Sequence, residues 1–181
     1  MSAGHGHIDP SNKKIALLIA VLALVLAFSE TLGKSAQTNA LSLNIEASNL
    51  WSFFQAKTIR QTVVRTAAEQ TSLTGNSEEA KKQIEAWRKT AQRYQTEPET
   101  GEGRDELMAR AKEAEKKRDR SMAAYHQYEL ASAAVQIAIV LASAAIVTGA
   151  MALAWIGAGL GVVGVAFCLI SLFAPTSVHV F

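Results

Sequence analysis

The sequence predicts an all-α integral membrane protein with three transmembrane helices and a long helical hairpin or stalk inserted between the first and the second. Hydrophobic residues make up 49% of the 181-residue chain and concentrate in residues 15–28 and 131–173. All of the Lys and Arg residues except Lys13 and Lys14 lie between these two regions. Lipid cannot hydrogen-bond a bare backbone, so spanning segments without strand character are expected to be helices. The predicted segments are an N-terminal tail at 1–13, transmembrane helices at 14–33, 130–149 and 152–173, an insert at 34–129 and a C-terminal tail at 174–181.

The first apolar segment is short and fits two interpretations. With Ala27-Phe28-Ser29 at its end, it matches a secretory signal peptide with a small-x-small cleavage site. Continued through Leu32 it extends roughly 27 Å, enough to span a membrane if the flanking Lys14 and Lys34 reach the headgroups. We expect this segment to be retained as a membrane span rather than cleaved, because the chain begins at Met1 and includes it.

Glu30 and Lys34 lie one helical turn apart near the end of this span. One interpretation is an interfacial ion pair between them. The other is a functional carboxylate at membrane depth, since ionisable groups there are costly and often have a role.

The last apolar region is too long for one span, because a core of about 30 Å needs about 20 residues. A tight turn near Gly149–Ala150–Met151 would divide it into two. Glycines with small-xxx-small spacing predict close helix packing in the last span, either within this hairpin, which we favour, or against a neighbouring subunit. The string from Gly159 to Gly164 also matches a dinucleotide-binding motif, but it lacks the required strand and polar turn. The predicted packing residues are Gly157, Gly161 and Gly164.

Three helices are predicted in the insert. The first, about Ser35–Ser72, carries two opposed apolar stripes, which indicates contacts on both sides. The second follows an Asn76 cap with Glu79 as the partner of a capping box, and the third runs from about Asp105 into the second span. We expect the second and third to form an antiparallel hairpin across an exposed turn at 97–103. The stripes are Leu43, Ala47, Leu50 and Phe54, and Leu41, Ile45, Ile59 and Val63; the hairpin seams are Ala80, Ile84, Trp87, Ala91 and Tyr94, and Leu107, Ala111, Ala114, Ser121 and Tyr125.

A basic cluster precedes the second span. It either attracts anionic lipid headgroups, at about 1 kcal/mol per charge, or forms a solvated helix face paired with Glu113 and Glu115. The excess of positive charge near the membrane predicts that the insert and the C-terminus lie in the cytoplasm. No interleaving of basic and aromatic residues suggests a nucleic-acid partner. The cluster is Lys116, Lys117, Arg118 and Arg120.

The string Ala47-Ser48-Asn49-Leu50-Trp51-Ser52-Phe53-Phe54-Gln55-Ala56-Lys57 is the most distinctive part of the chain. It resembles a family of bacterial membrane proteins designated as a domain of unknown function (DUF 4337), and the similarity extends over most of the chain. The resemblance implies a bacterial inner-membrane protein and no particular activity. Its aromatic residues either pack within the chain or contact a subunit or partner. The candidate interaction residues are Leu50, Trp51, Phe53, Phe54, Lys57, Arg60 and Trp87.

No catalytic constellation or cofactor motif is recognisable in the sequence, so we expect a non-enzymatic protein without a cofactor. His5 and His7 could hold a metal weakly, although a tail segment is the simpler interpretation. Cys168 is expected to be a small buried residue. The predicted function is a membrane scaffold or accessory subunit that self-associates, or docks on a membrane complex, through its helical stalk. The alternative is a small channel or transport component whose path uses Glu30, Gln136, Ser143 and Thr148.

Overall fold

The computed structural model of the chain describes residues 10–75 and 77–177. This part contains four α-helices and no strand: α1 Pro10–Thr74, α2 Glu78–Gln95, α3 Arg104–Thr148 and α4 Met151–Phe173. The all-helical class is therefore confirmed within the described residues. By length and composition, α1, α3 and α4 could each cross a membrane. His5, His7 and Asn76, which carried sequence predictions, lie outside the described residues.

Glycine and hydroxyl side chains set the helix ends. Gly75 follows α1, and its N–H donates to the carbonyl of Thr71 at 2.8 Å. The N-cap of α2 is Ser77, whose side chain accepts the N–H of Ala80 at 3.1 Å. The predicted cap was therefore wrong by one residue, because the closer hydroxyl satisfies the free N–H of the first turn. Gly149 ends α3 with a positive φ of 71°, a conformation that costs glycine little.

The chain divides into two compact units, which we call the apolar unit and the polar unit. The apolar unit combines α1 up to Ala40 with the chain from Asp119 onward, and the polar unit is Leu41–Arg118. Each unit has its own hydrophobic core.

In the apolar unit, the first part of α1 runs antiparallel to α3, and α4 packs against both. One cluster joins Ile15 of α1 to Ala142 and Ala145 of α3 and to Ala154 of α4. A second cluster, further along α1, joins Leu22 to Val135 and Ala138. Alanines supply three of the four buried residues in the first cluster and one of the three in the second, so the helices can approach closely at these positions.

In the polar unit, α2 and α3 follow one another along α1. Gln61 of α1 donates to the carbonyl of Ala91 near the end of α2, and it accepts from Arg104 at the start of α3. Further back along α1, Trp51 contacts Glu115 and Asn44 contacts Arg118. Both helices therefore run against α1.

The predicted hairpin between these two helices was wrong. The residues of the loop at 96–103 connect helices that continue in the same direction rather than fold back on each other. Their seams were placed on the correct faces, since Ile84 and Ala91 of α2 and Leu107 and Ala111 of α3 are buried. A seam indicates which face is buried, but it does not identify the helix that buries it.

Candidate functional site

The most distinctive surface of the polar unit is the part of α1 between Leu41 and Ala68, which has an inner and an outer face. Its inner face packs against α2 and α3. The buried core there consists of Ala47 and Leu50 of α1 with Leu107, Ala111 and Ala114 of α3. Three aromatic side chains pack against this core: Trp51, Phe53 and Phe54.

The aromatic motif finds its partners within the chain. The ring of Trp51 meets Phe54 edge to face at 5.4 Å between centroids. Its Nε1 donates to Glu115 Oε1 at 2.9 Å, so the polar end of the indole is satisfied. Leu50 is buried in the same core. These contacts correspond to the core-packing interpretation of the motif rather than to a partner contact.

Lys57 is a nearly buried cation on the inner face, with only 6% of the residue exposed. Its Nζ lies 3.5 Å from Glu97 Oε2 and 3.8 Å from Glu102 Oε2, both in the loop after α2. The same nitrogen lies 5.4 Å from the ring centroid of Phe53 and 5.5 Å from that of Tyr94. A buried ammonium needs such partners, because an unpaired charge is costly in a low dielectric. The arrangement fastens the loop to α1.

Gln61 and Arg104 extend this buried polar network by one turn. The Gln61 amide donates to the Ala91 carbonyl at 2.9 Å and to Gln95 Oε1 at 3.1 Å. Arg104 donates to Gln61 Oε1 and Gln95 Oε1, and its guanidinium lies 5.0 Å from the ring centroid of Phe54. Gln61 and Arg104 were not predicted as site residues from the sequence. A signal for Gln61 was present, because Lys57 and Gln61 continue the alternating four- and three-residue spacing of the stripe that begins at Leu43 and runs through Phe54.

Glu97 has a lowered pKa in this network. A hydrogen bond and ion pair with Arg93 are the main cause, and the charge of Lys57 adds to them. The paired Arg93 correspondingly has a raised pKa. The carboxylate form of Glu97 is therefore the form that the folded loop favours.

The outer face of the same helical segment is apolar and uncovered. The exposed fractions are 61% for Leu41, 54% for Ile45, 65% for Ile59 and 61% for Val63. Ser48, Ser52 and Ala56 complete the spacing, so that the seven residues follow at steps of three or four. At about 100° per residue, all of them lie within about 40° of one direction. We call these seven residues the outer stripe.

Two remaining interaction candidates differ in exposure. Arg60 is exposed beside the outer stripe, and Trp87 is half-buried on α2. Arg60 is thus the member of the predicted set that lies next to an uncovered apolar surface.

The three glycines predicted to pack in the last helix are all buried, and they face two different helices. A Cβ atom on Gly157 would lie 2.9 Å from the Ala138 carbonyl oxygen, and one on Gly164 would meet Val135 and Ala131 of α3. A Cβ on Gly161 would instead meet the side chain of Leu22 of α1. The hairpin therefore accounts for two of the glycines, and the first helix accounts for the third.

The basic residues before the second apolar stretch have mixed surroundings. Lys117 pairs with Glu113 at 3.8 Å, and Arg118 donates to Asn44 at 3.3 Å. Lys116 and Arg120 are exposed. The pairing of Lys117 with Glu113 agrees with the interpretation of a solvated helix face. The exposed Lys116 and Arg120 agree equally with contact to anionic lipid.

Glu30 contacts a different residue from the one expected. Its Oε1 accepts from Gln136 Nε2 at 3.3 Å, whereas Lys34 lies more than 4 Å from its carboxylate and is exposed. The expected ion pair with Lys34 was therefore wrong, because the amide from α3 contacts the carboxylate instead.

Two further channel candidates donate within their own helix. Ser143 Oγ donates to the Ile139 carbonyl and Thr148 Oγ1 to the Ala144 carbonyl, both at 2.8 Å.

Cys168 is half-buried, with its Sγ 2.8 Å from the buried Ser29 Oγ. Within residues 10–75 and 77–177, no group of three or more His, Cys, Asp or Glu side chains could hold a metal ion.

Comparison with known proteins identifies a family. No curated protein and no solved structure matches the chain. The family model described as a domain of unknown function (DUF4337) matches residues 11–174, which covers all four helices except the first residue of α1. The chain belongs to the DUF4337 family.

Proposed function

We propose that this protein is a non-enzymatic membrane scaffold whose copies associate through the outer stripe of α1. The apolar parts of α1, α3 and α4 anchor it as three transmembrane helices. The observation that carries the proposal is the outer stripe itself. Of the five large apolar side chains that the polar unit leaves exposed, four lie on the outer stripe; the fifth, Leu73, is in the last turn of α1.

The membrane arrangement follows from charge and composition. The polar unit, rich in Lys and Arg, and the C-terminus lie on the cytoplasmic side of a bacterial inner membrane. Support comes from the excess of positive charge in the insert near the predicted spans. The family resemblance supports the bacterial assignment.

A second copy of the chain is the occupant that suits the stripe best. Two copies inserted in one membrane in the same orientation are related by an axis normal to it, so their α1 helices pair in parallel and in register. Steps of three and four residues are those of a coiled-coil seam. The small residues Ser48, Ser52 and Ala56 at its centre allow the two backbones to approach closely.

Burial of the exposed side chains of two outer stripes is sufficient for association at a membrane. Full burial of an aliphatic side chain is worth about 1.5–3 kcal/mol, so covering eight half-exposed side chains in a pair gives roughly 6–12 kcal/mol. Association costs about 4–15 kcal/mol in free solution. Anchoring two copies in one bilayer reduces that cost by raising their effective concentration.

Cysteine cross-linking tests the proposal and its register. In a Cys168→Ala background, Ile45→Cys, Ser52→Cys and Ile59→Cys are each oxidised in native membranes. A parallel pair brings every stripe position next to its own copy, so all three form disulfide-linked dimers. The matched control is Arg88→Cys on the exposed outer side of α2, which stays monomeric.

Other patterns of cross-linking contradict the proposal. Dimers at Ser52→Cys alone indicate an antiparallel pair and overturn the parallel register. A third outcome is that no stripe position forms dimers and native mass spectrometry detects a stably bound foreign subunit. This outcome excludes self-association and assigns the stripe to another protein. In this case the protein is an accessory subunit of that complex.

A channel is the second candidate, and one contact favours it. Glu30 and Gln136 come from different helices and meet in the predicted membrane region. A path for ions would need such polar groups. Ion flux in proteoliposomes that is abolished by Glu30→Gln and kept by Glu46→Gln would support this alternative.

A further inference from the structure

The apolar unit contains an open cavity of about 230 Å³ between α1 and α3, and three charged residues are among those that line it. Its charged lining residues are Glu30 and Lys34 from α1 and Glu129 from α3, with Tyr125 and Tyr128 beside them. By the predicted segment boundaries, the lining lies where the first span ends and the second begins. This is the depth of lipid headgroups.

Close helix packing forms one wall of this cavity. A Cβ atom on Gly33 would lie 3.2 Å from the Tyr128 Cβ, so the two helices nearly touch there. Tyr128 is 5% exposed, and burial raises the pKa of its phenol. The cavity therefore has a closely packed aromatic wall next to charged groups.

The three charged residues are exposed, and their charges are incompletely paired within the protein. Glu30 accepts one hydrogen bond, from Gln136. Glu129 accepts a long one of 3.4 Å from the Tyr125 hydroxyl and lies 3.7 Å from His126 Nδ1. Lys34 has no carboxylate within 4 Å in the described part of the chain, although it lines the same cavity as both glutamates. A cavity with two carboxylates and a separate ammonium suits a ligand that carries both charges.

We propose that this cavity binds the headgroup of a zwitterionic aminophospholipid. The primary ammonium lies between Glu30 and Glu129, and the phosphate accepts from Lys34. A primary ammonium donates three hydrogen bonds, which the two carboxylates can accept. A volume of about 230 Å³ equals roughly eight water molecules at about 30 Å³ each, enough for a small headgroup. The inference rests on the membrane anchoring in the proposed function, but not on self-association.

The headgroup chemistry gives a discriminating comparison. Phosphatidylethanolamine has the primary ammonium, phosphatidylcholine has a trimethylated nitrogen that cannot donate, and phosphatidylglycerol has no cation. The protein is purified in mild detergent, mixed with these lipids carrying identical acyl chains, and weighed by native mass spectrometry. Phosphatidylethanolamine is expected to be retained at least tenfold better than phosphatidylcholine, because a hydrogen bond to a charged group is worth about that factor.

Variants locate the binding to the cavity. Glu30→Gln with Glu129→Gln removes both carboxylates and abolishes the preference for phosphatidylethanolamine over phosphatidylcholine. Lys34→Gln weakens retention of both of these lipids, because both carry the phosphate. Glu46→Gln, an exposed carboxylate of the polar unit, leaves retention unchanged. If the double variant does not fold, the comparison of lipids on the unaltered protein still decides.

Three results overturn the inference. One is equal retention of phosphatidylethanolamine and phosphatidylcholine. Another is a preference that survives in the double variant. The third is displacement of the lipid by soluble glycerophosphoethanolamine at equal concentration, which would make the ligand a free zwitterion. Native mass spectrometry measures lipid retention separately for monomers and for each oligomer. A failure of lipid binding is therefore distinguishable from a failure of cross-linking at the outer stripe.

Discussion

Alanine substitutions along α4 give the sharpest test of how its glycines pack. Gly157 and Gly159 are two residues apart in the same helix, but only Gly157 faces α3. A Cβ on Gly157 would lie 2.9 Å from the backbone oxygen of Ala138, whereas a Cβ on Gly159 has no atom within 4 Å. The two substitutions therefore add the same methyl group to a closed and to an open position.

The expected magnitudes follow from what the methyl group meets. The Ala138 oxygen belongs to a helix backbone and cannot move alone, so Gly157→Ala must separate α3 from α4. Overpacking of this kind costs about 1–3 kcal/mol. Gly159→Ala loses nothing and gains up to about 1 kcal/mol of helix propensity.

The other two glycines fall between these limits. A Cβ on Gly161 would meet the end of the Leu22 side chain, which can rotate away, so a small loss is expected. A Cβ on Gly164 would meet a methyl group of Val135, and a valine in a helix has one strongly preferred rotamer. Gly164→Ala should therefore destabilise the protein nearly as much as Gly157→Ala.

The assay is unfolding by a denaturing detergent in mixed micelles, followed by tryptophan fluorescence. The expected order of stability is Gly159→Ala first, then Gly161→Ala, with Gly157→Ala and Gly164→Ala lowest. Equal midpoints for Gly157→Ala and Gly159→Ala would refute the reasoning, since they would mean that α3 and α4 do not approach closely at Ala138.

Two further predictions concern the polar unit. Lys57→Met leaves Glu97 and Glu102 without their shared cation, and we expect the free energy of unfolding to fall by about 1–3 kcal/mol. Limited proteolysis should then cut the loop at 96–103 faster. The control Lys112→Met, at an exposed position, leaves the rate of cleavage unchanged. The second prediction is a pH effect. The lowered pKa of Glu97 means that its contribution is complete above the ordinary carboxyl range and is lost as the pH falls through the lowered value. Arg93→Gln removes the main cause of the lowered Glu97 pKa, so acid should open the loop at 96–103 at a higher pH than in the unaltered protein. Limited proteolysis over a range of pH measures this onset, and an unchanged onset would contradict the prediction.

The sequence was sufficient for the helices and for their faces. Apolar spacing along α1 indicated two opposed stripes, and the structure buries Ala47 and Leu50 of one while exposing Ile45 and Ile59 of the other. Spacing works here because the periodicity of a helix fixes which side chains share a face.

The partners of those faces were less predictable. The seams of α2 and α3 are compatible with pairing to each other or to α1, because both arrangements bury the same side chains. The loop at 96–103 decides between them, and its path depends on Lys57 and Gln61, polar residues that a search for apolar spacing passes over. Similarly, small-residue spacing in α4 identified Gly161 as a packing position but could not show that it faces Leu22 of α1.

The contrast between the two faces of α1 is the strongest reason to regard the outer stripe as an interface. An exposed leucine or isoleucine is common on any protein and by itself indicates nothing. Here the inner face has a full set of partners, including charge partners for Lys57 and hydrogen bonds for Gln61. Exposed apolar residues are not scattered over α2 and the start of α3 but are aligned with small residues along the opposite side of one helix. If the outer face had no partner, polar residues there would preserve the inner packing equally well, so the fold of a single copy does not explain the apolar spacing, and we attribute it to the proposed association.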